Sequence, residues 1–143
     1  MRRFVERTGT EADPFRIINA TGGMAAPAFG DWDNDGQQEM VLGQGNGVLR
    51  LYRKGSTGQA EEVTAAQSDP FQVFRAQGSR AQPCLGDWDG DGDLDILVGT
   101  DGGRTALRYF EQLGVGRVRE RTDFWGELSP SSPWSGSASP ALG

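Results

Sequence analysis

Apolar residues in this chain come in short runs, and the runs recur. Met40-Val41-Leu42 and Ile96-Leu97-Val98 are apolar at consecutive positions, the pattern of a strand buried on both faces. Each is followed by a glycine-rich turn, Gly43-Gln44-Gly45-Asn46-Gly47 or Gly99-Thr100-Asp101-Gly102-Gly103, whose residues accept the positive φ that hairpins demand. The patterning predicts first strands over Ala26–Gly30 and Gln82–Gly86, second strands over Met40–Leu42 and Asp95–Val98, and third strands over Val48–Arg53 and Ala106–Glu111. A fourth is expected after Asp-Pro-Phe, over Phe15–Asn19 and Phe71–Ala76, with the proline placed where no ladder donor is needed.

These runs belong to a repeat. Asp31 and Asp87 stand 56 positions apart, and Phe4 to Asp31 aligns without a gap over Ala60 to Asp87. Thr8/Thr64, Asp13-Pro14-Phe15/Asp69-Pro70-Phe71, Pro27/Pro83 and Gly43/Gly99 coincide. After Gly99 the second copy gains two residues, so that Arg50-Leu51-Tyr52 pairs with Arg108-Tyr109-Phe110. The units run over about 4–59, 60–116 and a partial 117–143, whose end, Ser139 to Gly143, matches Gln82 to Gly86. The Ser- and Pro-rich Ser129–Pro140 therefore reads as the approach to a further unit and not as a linker. Four antiparallel strands per unit make a propeller blade, so the fold expected is all-β, about two and a half blades of a propeller that this chain does not close alone.

Between the first and second strands of each unit lies an acidic loop. In the second, Asp87-Trp88-Asp89-Gly90-Asp91-Gly92-Asp93-Leu94-Asp95 places carboxylates at alternating positions of a tight turn; the first copy is Asp31-Trp32-Asp33-Asn34-Asp35-Gly36-Gln37-Gln38-Glu39. Four like charges so close repel unless neutralised, and calcium accepts six to eight oxygens in flexible geometry where magnesium tolerates an irregular cage poorly. The expected ligands are the side chains of Asp87, Asp89, Asp91 and Asp95 with the Asp93 backbone carbonyl, and Asp31, Asp33, Asp35 and Glu39 with the Gln37 carbonyl: two calcium sites. Gly36 and Gly92 allow the turn. An EF-hand needs a carboxylate at position 12, where this chain has Leu42 and Val98.

Composition agrees. The net charge is −6, yet nine of the 20 acidic residues sit in the two loops, leaving 11 acids against 14 bases elsewhere. Two divalent ions would bring the total to −2, so the acidity describes metal sites and not an acidic surface. The absence of histidine removes a His-based triad, and the single Cys84 excludes an internal disulfide; its apolar strand suggests a small buried hydrophobe. Scattered basic spots, Arg2-Arg3, Arg50, Arg53-Lys54, Arg117, Arg119 and Arg121, suit solvated strand faces better than a nucleic-acid groove. No apolar run is long enough to insert in a membrane or to serve as a signal peptide, so export would make this chain a piece of a longer precursor; only then would the sequon at Asn19 matter.

The run from Gly86 to Gly99, Gly-Asp-Trp-Asp-Gly-Asp-Gly-Asp-Leu-Asp-Ile-Leu-Val-Gly, resembles the core of FG-GAP/VCBS repeats, the calcium-binding blades of integrin-α-type β-propellers. Two departures, Glu39 for the final Asp and Gln37-Gln38 for Asp-Leu, predict a first site that is weaker or differently shaped. The resemblance implies a non-enzymatic extracellular or cell-surface module for adhesion or recognition, binding a protein or glycan ligand, with calcium stapling the blade loops. A carbohydrate-binding module is the alternative reading and a metal-dependent hydrolase a distant third, because saturated, duplicated loops offer no open coordination position. Trp32 and Trp88 at position 2 of each loop are expected to pack between blades; Trp125 and Trp134 fall in the partial unit. Open blade edges would favour self-association.

Overall fold

A computed structural model describes residues 5–64, 70–71, 80–101 and 107–122. Among these there is no helix, hence none long and apolar enough to cross a membrane. Eight strands follow in chain order: β1 (Ala25–Gly30), β2 (Glu39–Gln44), β3 (Leu49–Lys54) and β4 (Ala60–Glu62), then β5 (Ala81–Gly86), β6 (Asp95–Thr100), β7 (Leu107–Gln112) and β8 (Val118–Glu120). They form two open four-stranded antiparallel sheets, ordered β1-β2-β3-β4 and β5-β6-β7-β8. The all-β expectation and the up-and-down order of blades hold.

Register preserves the repeat. Met40 faces Tyr52 and Val41 faces Leu51 across β2 and β3, as Ile96 faces Phe110 and Leu97 faces Tyr109 across β6 and β7. The unbroken apolar runs are matched by burial: every residue of β2 is buried, and β6 is buried except at Leu97, which is half-buried. Gly47, at φ +78°, closes the β2–β3 hairpin by donating to the Gln44 carbonyl at 3.0 Å.

One predicted strand is corrected. Residues 14–17 form a turn, and the outer strand of the first sheet is Ala60–Glu62, supplied by the opening residues of the second repeat. Val118–Glu120 does the same for the second sheet. Asp-Pro-Phe mimics a strand start, but Asp13 instead caps a turn, its Oδ1 accepting from Phe15 N at 2.9 Å and its Oδ2 from Gly9 N at 3.0 Å. In the second copy Pro70 and Phe71 are likewise in a turn, and 72–76 lie outside the described residues, as do Arg2-Arg3, Trp125, Trp134 and Ser129–Pro140.

The two sheets pack face to face through one core. Trp32, Val41, Leu49 and Leu51 from the first meet Ala81, Ile96, Val98 and Phe110 from the second, with Val63 and Phe71 completing the cluster. Contact is close enough that Gly43 is required: a Cβ there would overlap the Ala81 carbonyl and stand 2.6 Å from Pro83 Cδ. Gly43→Ala should therefore destabilise the chain by about 1–3 kcal/mol, measurable as a lower denaturant midpoint at unchanged slope. The opposite face of the first sheet carries a second cluster, Met40, Leu42, Tyr52 and Ala60, against which Ile18 packs.

Most of the basic spots are paired across the outer strands. Arg50 bonds Glu62 across β3 and β4, and the repeat-equivalent Arg108 grips Glu120 with two bonds of 2.7 and 2.8 Å. Arg119 and Arg121 both bond Glu111, at 2.9 and 2.6 Å. These partners hold Glu111 and Glu120 below the ordinary carboxylate value. A depressed folded value means stability is present above the unfolded value and lost as pH falls through the folded one. Acid unfolding below about pH 4.5 should accordingly move to higher pH in Arg108→Ala, followed by circular dichroism. Cys84 is half-buried, less enclosed than its apolar neighbourhood suggested.

Candidate metal centres

Both acidic loops leave the end of a first strand and turn back into a second, so the two sites lie at the same end of the sheets. Glycine is required at position 6, where Gly36 and Gly92 have φ of +87° and +96°. Position 4 is also left-handed, Asn34 at +58° and Gly90 at +80°. That constraint was visible in the sequence, since asparagine and glycine are the residues that tolerate it.

Within each loop the peptide groups fold around carboxylates. Asp31 accepts from Asp35 N at 3.0 Å and Gly36 N at 2.9 Å; Asp87 accepts from Gly90 N at 2.7 Å and Gly92 N at 3.1 Å. Three side chains then converge in each copy. Asp31, Asp33 and Glu39 each offer one oxygen, and these oxygens lie within 4.8 Å of one another; Asp87, Asp89 and Asp95 repeat the arrangement. Asp35 and Asp91 stand outside the trios and instead accept from Gln37 N at 2.7 Å and Asp93 N at 2.9 Å. Gln37 and Asp93 enter through those amides, and the Asp93 side chain accepts from Asn34 Nδ2 at 2.8 Å, joining one loop to the other.

The third member of each trio begins the second strand and is buried: Glu39 is 5 % exposed and Asp95 2 %. Asp95 is a hub. Its Oδ2 accepts from Trp88 N at 3.0 Å and Tyr109 Oη at 2.9 Å, and its Oδ1 from Gln112 N at 3.0 Å. Glu39, with one more methylene, accepts from Trp32 N at 2.8 Å. The first trio is therefore bonded differently from the second at this position.

Burial and, after it, neighbouring carboxylates leave an electrostatic signature. Burial, followed by the charges of Asp33, Asp35 and Asp31, raises Glu39 above the ordinary carboxylate value against the opposing bond from Trp32. Asp89 is raised by desolvation and by the charges of Asp95, Asp91 and Glu111, against the bond from Asp91. Tyr109 is held well above its ordinary value by burial, by its hydrogen bond to Asp95 and by that carboxylate's charge. A divalent cation among these oxygens would oppose the part of each shift that comes from neighbouring negative charge. The donors are hard oxygens only, the set that suits calcium or magnesium and not a soft metal.

Trp32 and Trp88, one position after the loops begin, have separate fates. Trp32 is 2 % exposed, its ring 5.4 Å from Phe71, and its carbonyl accepts from Gln112 Nε2 of the second sheet at 3.1 Å. Packing between blades is therefore its role, as expected. Trp88, on the far face of the second sheet, is 43 % exposed.

No curated protein and no solved structure gives a significant match to the chain. Residues 31–98, from the first ligand position of the first loop to the apolar strand behind the second, match the sequence model of the FG-GAP-like repeat. The matched stretch spans both acidic loops and much of the inter-sheet core: residues 31–98 are similar to FG-GAP-like repeats, and the chain's two open four-stranded sheets, which extend beyond that stretch on both sides, are arranged as blades of an incomplete β-propeller.

Proposed function

We propose that this chain is a calcium-binding propeller module, its ions bound at Asp31, Asp33 and Glu39 and at Asp87, Asp89 and Asp95, serving recognition or adhesion outside the cell rather than catalysis. The observation that carries the reading is the pair of repeat-related carboxylate trios, each anchored by one buried acid at the start of a fully paired strand. A bound ion would supply charge neutralisation and a cross-link between the two ends of each loop. The chain's own contribution is positional: Asp95 is aimed by Tyr109 and Gln112, and the loop amides orient Asp31 and Asp87. Equivalent use of both copies favours a structural staple, since catalysis needs carboxylates in differing environments.

Calorimetric titration of metal-stripped protein with calcium should give two sites. At tenfold excess over Kd, each should add about 1.4 kcal/mol of stability, read as a higher melting temperature than in chelator. Asp33→Ala and Asp89→Ala should each delete one site while moving metal-free stability by no more than about 0.5 kcal/mol, because both are exposed. Absence of binding heat together with an unchanged melt would remove calcium from the reading.

A further inference from the structure

We propose that the open face of the first sheet is a docking site for the acidic, tryptophan-bearing loop of a partner sheet of this same repeat type. The partner's indole enters the cleft that Phe15, Met40 and Tyr52 line, and Lys54 meets the carboxylates beside it. The junction between the two described sheets is the template. There Trp32, set between Asp31 and Asp33, is buried against Phe71 in one cluster with Ile96 and Phe110. Leu85, Leu94 and Val118 pack against that cluster, and Gln112 Nε2 donates to the Trp32 carbonyl at 3.1 Å. In repeat register the same places on the first sheet hold Phe15, Met40 and Tyr52, then Phe29, Gln38 and Ala60, with Lys54 for Gln112. All of these line one cleft of about 410 Å³.

The cleft is thus the first sheet's copy of the tryptophan seat, and the chain's own Trp32 cannot fill it, being buried against the second sheet. Its rim is apolar and open to solvent: Phe15 is 44 % exposed and Phe29 50 %, their rings edge to face at 6.2 Å. Two differences between the seats define the occupant. Where the internal seat uses the neutral amide of Gln112, the open one offers the exposed ammonium of Lys54, and Gln38 replaces Leu94. A tryptophan that lies between aspartates, as Trp32 does, brings the opposite charge to that lysine; a neutral aromatic segment does not. Burying the indole supplies a large share of the interface energy, while the lysine and its carboxylate partners set which loop is accepted.

Titration of the isotope-labelled 143-residue chain with a synthetic peptide of residues 28–39, followed by nuclear magnetic resonance, tests this. The peptide carries Asp31-Trp32-Asp33 and is added up to millimolar concentration. The expected result is saturable binding with shifts at Phe15, Met40, Tyr52 and Lys54, lost when Trp32→Ala is made in the peptide. Phe15→Asp in the chain should weaken binding roughly tenfold or more. Lys54→Gln, which recreates the amide of the internal seat, should keep the indole bound but reduce the dependence on salt, and Lys54→Glu should weaken binding several-fold. Circular dichroism checks that each variant is folded; the Lys54 variants alter an exposed side chain and serve alone if Phe15→Asp does not fold. Absence of binding to the wild-type chain overturns the proposal. So does equal binding of the peptide without tryptophan, binding that Lys54→Glu leaves unchanged, or shifts centred on Phe71 or Trp88 in place of the first sheet.

Discussion

Asp95→Ala should lower the stability of the chain in chelator by about 3–5 kcal/mol, seen as a fall in the denaturant midpoint. The size follows from what the carboxylate holds. Tyr109 Oη, Gln112 N and Trp88 N all donate to it in a site that is 2 % exposed, and a buried donor left without an acceptor costs about 1–3 kcal/mol. Removing one of three crowded negative charges offsets part of that loss. Asp95→Asn should recover about half, because its carbonyl can still serve Trp88 and Tyr109 while its amide meets the Gln112 N–H donor to donor. Glu39→Ala, which among the described residues strands Trp32 N, should cost about 1–2 kcal/mol. Equal losses for Asp95→Ala and Glu39→Ala in chelator would show that the bonds from β7 contribute nothing. In calcium both variants should also lose one binding site, so the calcium-dependent and calcium-independent contributions separate within one set of melts.

The second large effect is expected at the junction between sheets. Trp32→Ala should cost about 3–5 kcal/mol, the loss for an aromatic removed from a core that cannot collapse into the space. Trp32→Phe should cost less, about 1–2 kcal/mol: the indole Nε1 is buried without a hydrogen-bond partner among the described residues, so phenylalanine removes volume and an unsatisfied donor together. Trp88→Ala should cost about 1 kcal/mol or less because that residue is nearly half exposed. A Trp32→Ala variant as stable as wild type would mean that the two sheets are held together by something other than this core.

Much of this was legible in the sequence because the repeat amplifies it. The unbroken apolar runs Met40–Leu42 and Ile96–Val98 marked the central strands, covered on both sides in the first sheet and nearly so in the second, and the glycines at position 6 fixed the loops. The outer strands were not legible. Ala60-Glu61-Glu62 and Val118-Arg119-Glu120 carry charges for solvent and ion pairs, so no alternation of apolar residues marks them. Asp-Pro-Phe attracted the strand prediction instead, although the purpose of Phe71 is to fill the space beside Trp32. The trios were half legible: spacing brought Asp87, Asp89 and Asp95 into one loop, but nothing local revealed that Tyr109 and Gln112, 14 and 17 residues further on, orient the last of them.

Because each sheet takes its outermost strand from the opening residues of the following repeat, the 56-residue stretch that duplicates is not the unit that folds. A cut at the boundary between repeats strips β4 from one sheet and frees the Arg50 and Arg53 partners with it. Copies gained by duplication arrive already interlocked with the preceding one, whereas a copy lifted out alone leaves an unfinished sheet behind. Insertions and domain fusions in such a chain are best tolerated inside the hairpin turns, and recombination should favour breakpoints displaced from the repeat boundary by the length of one short strand.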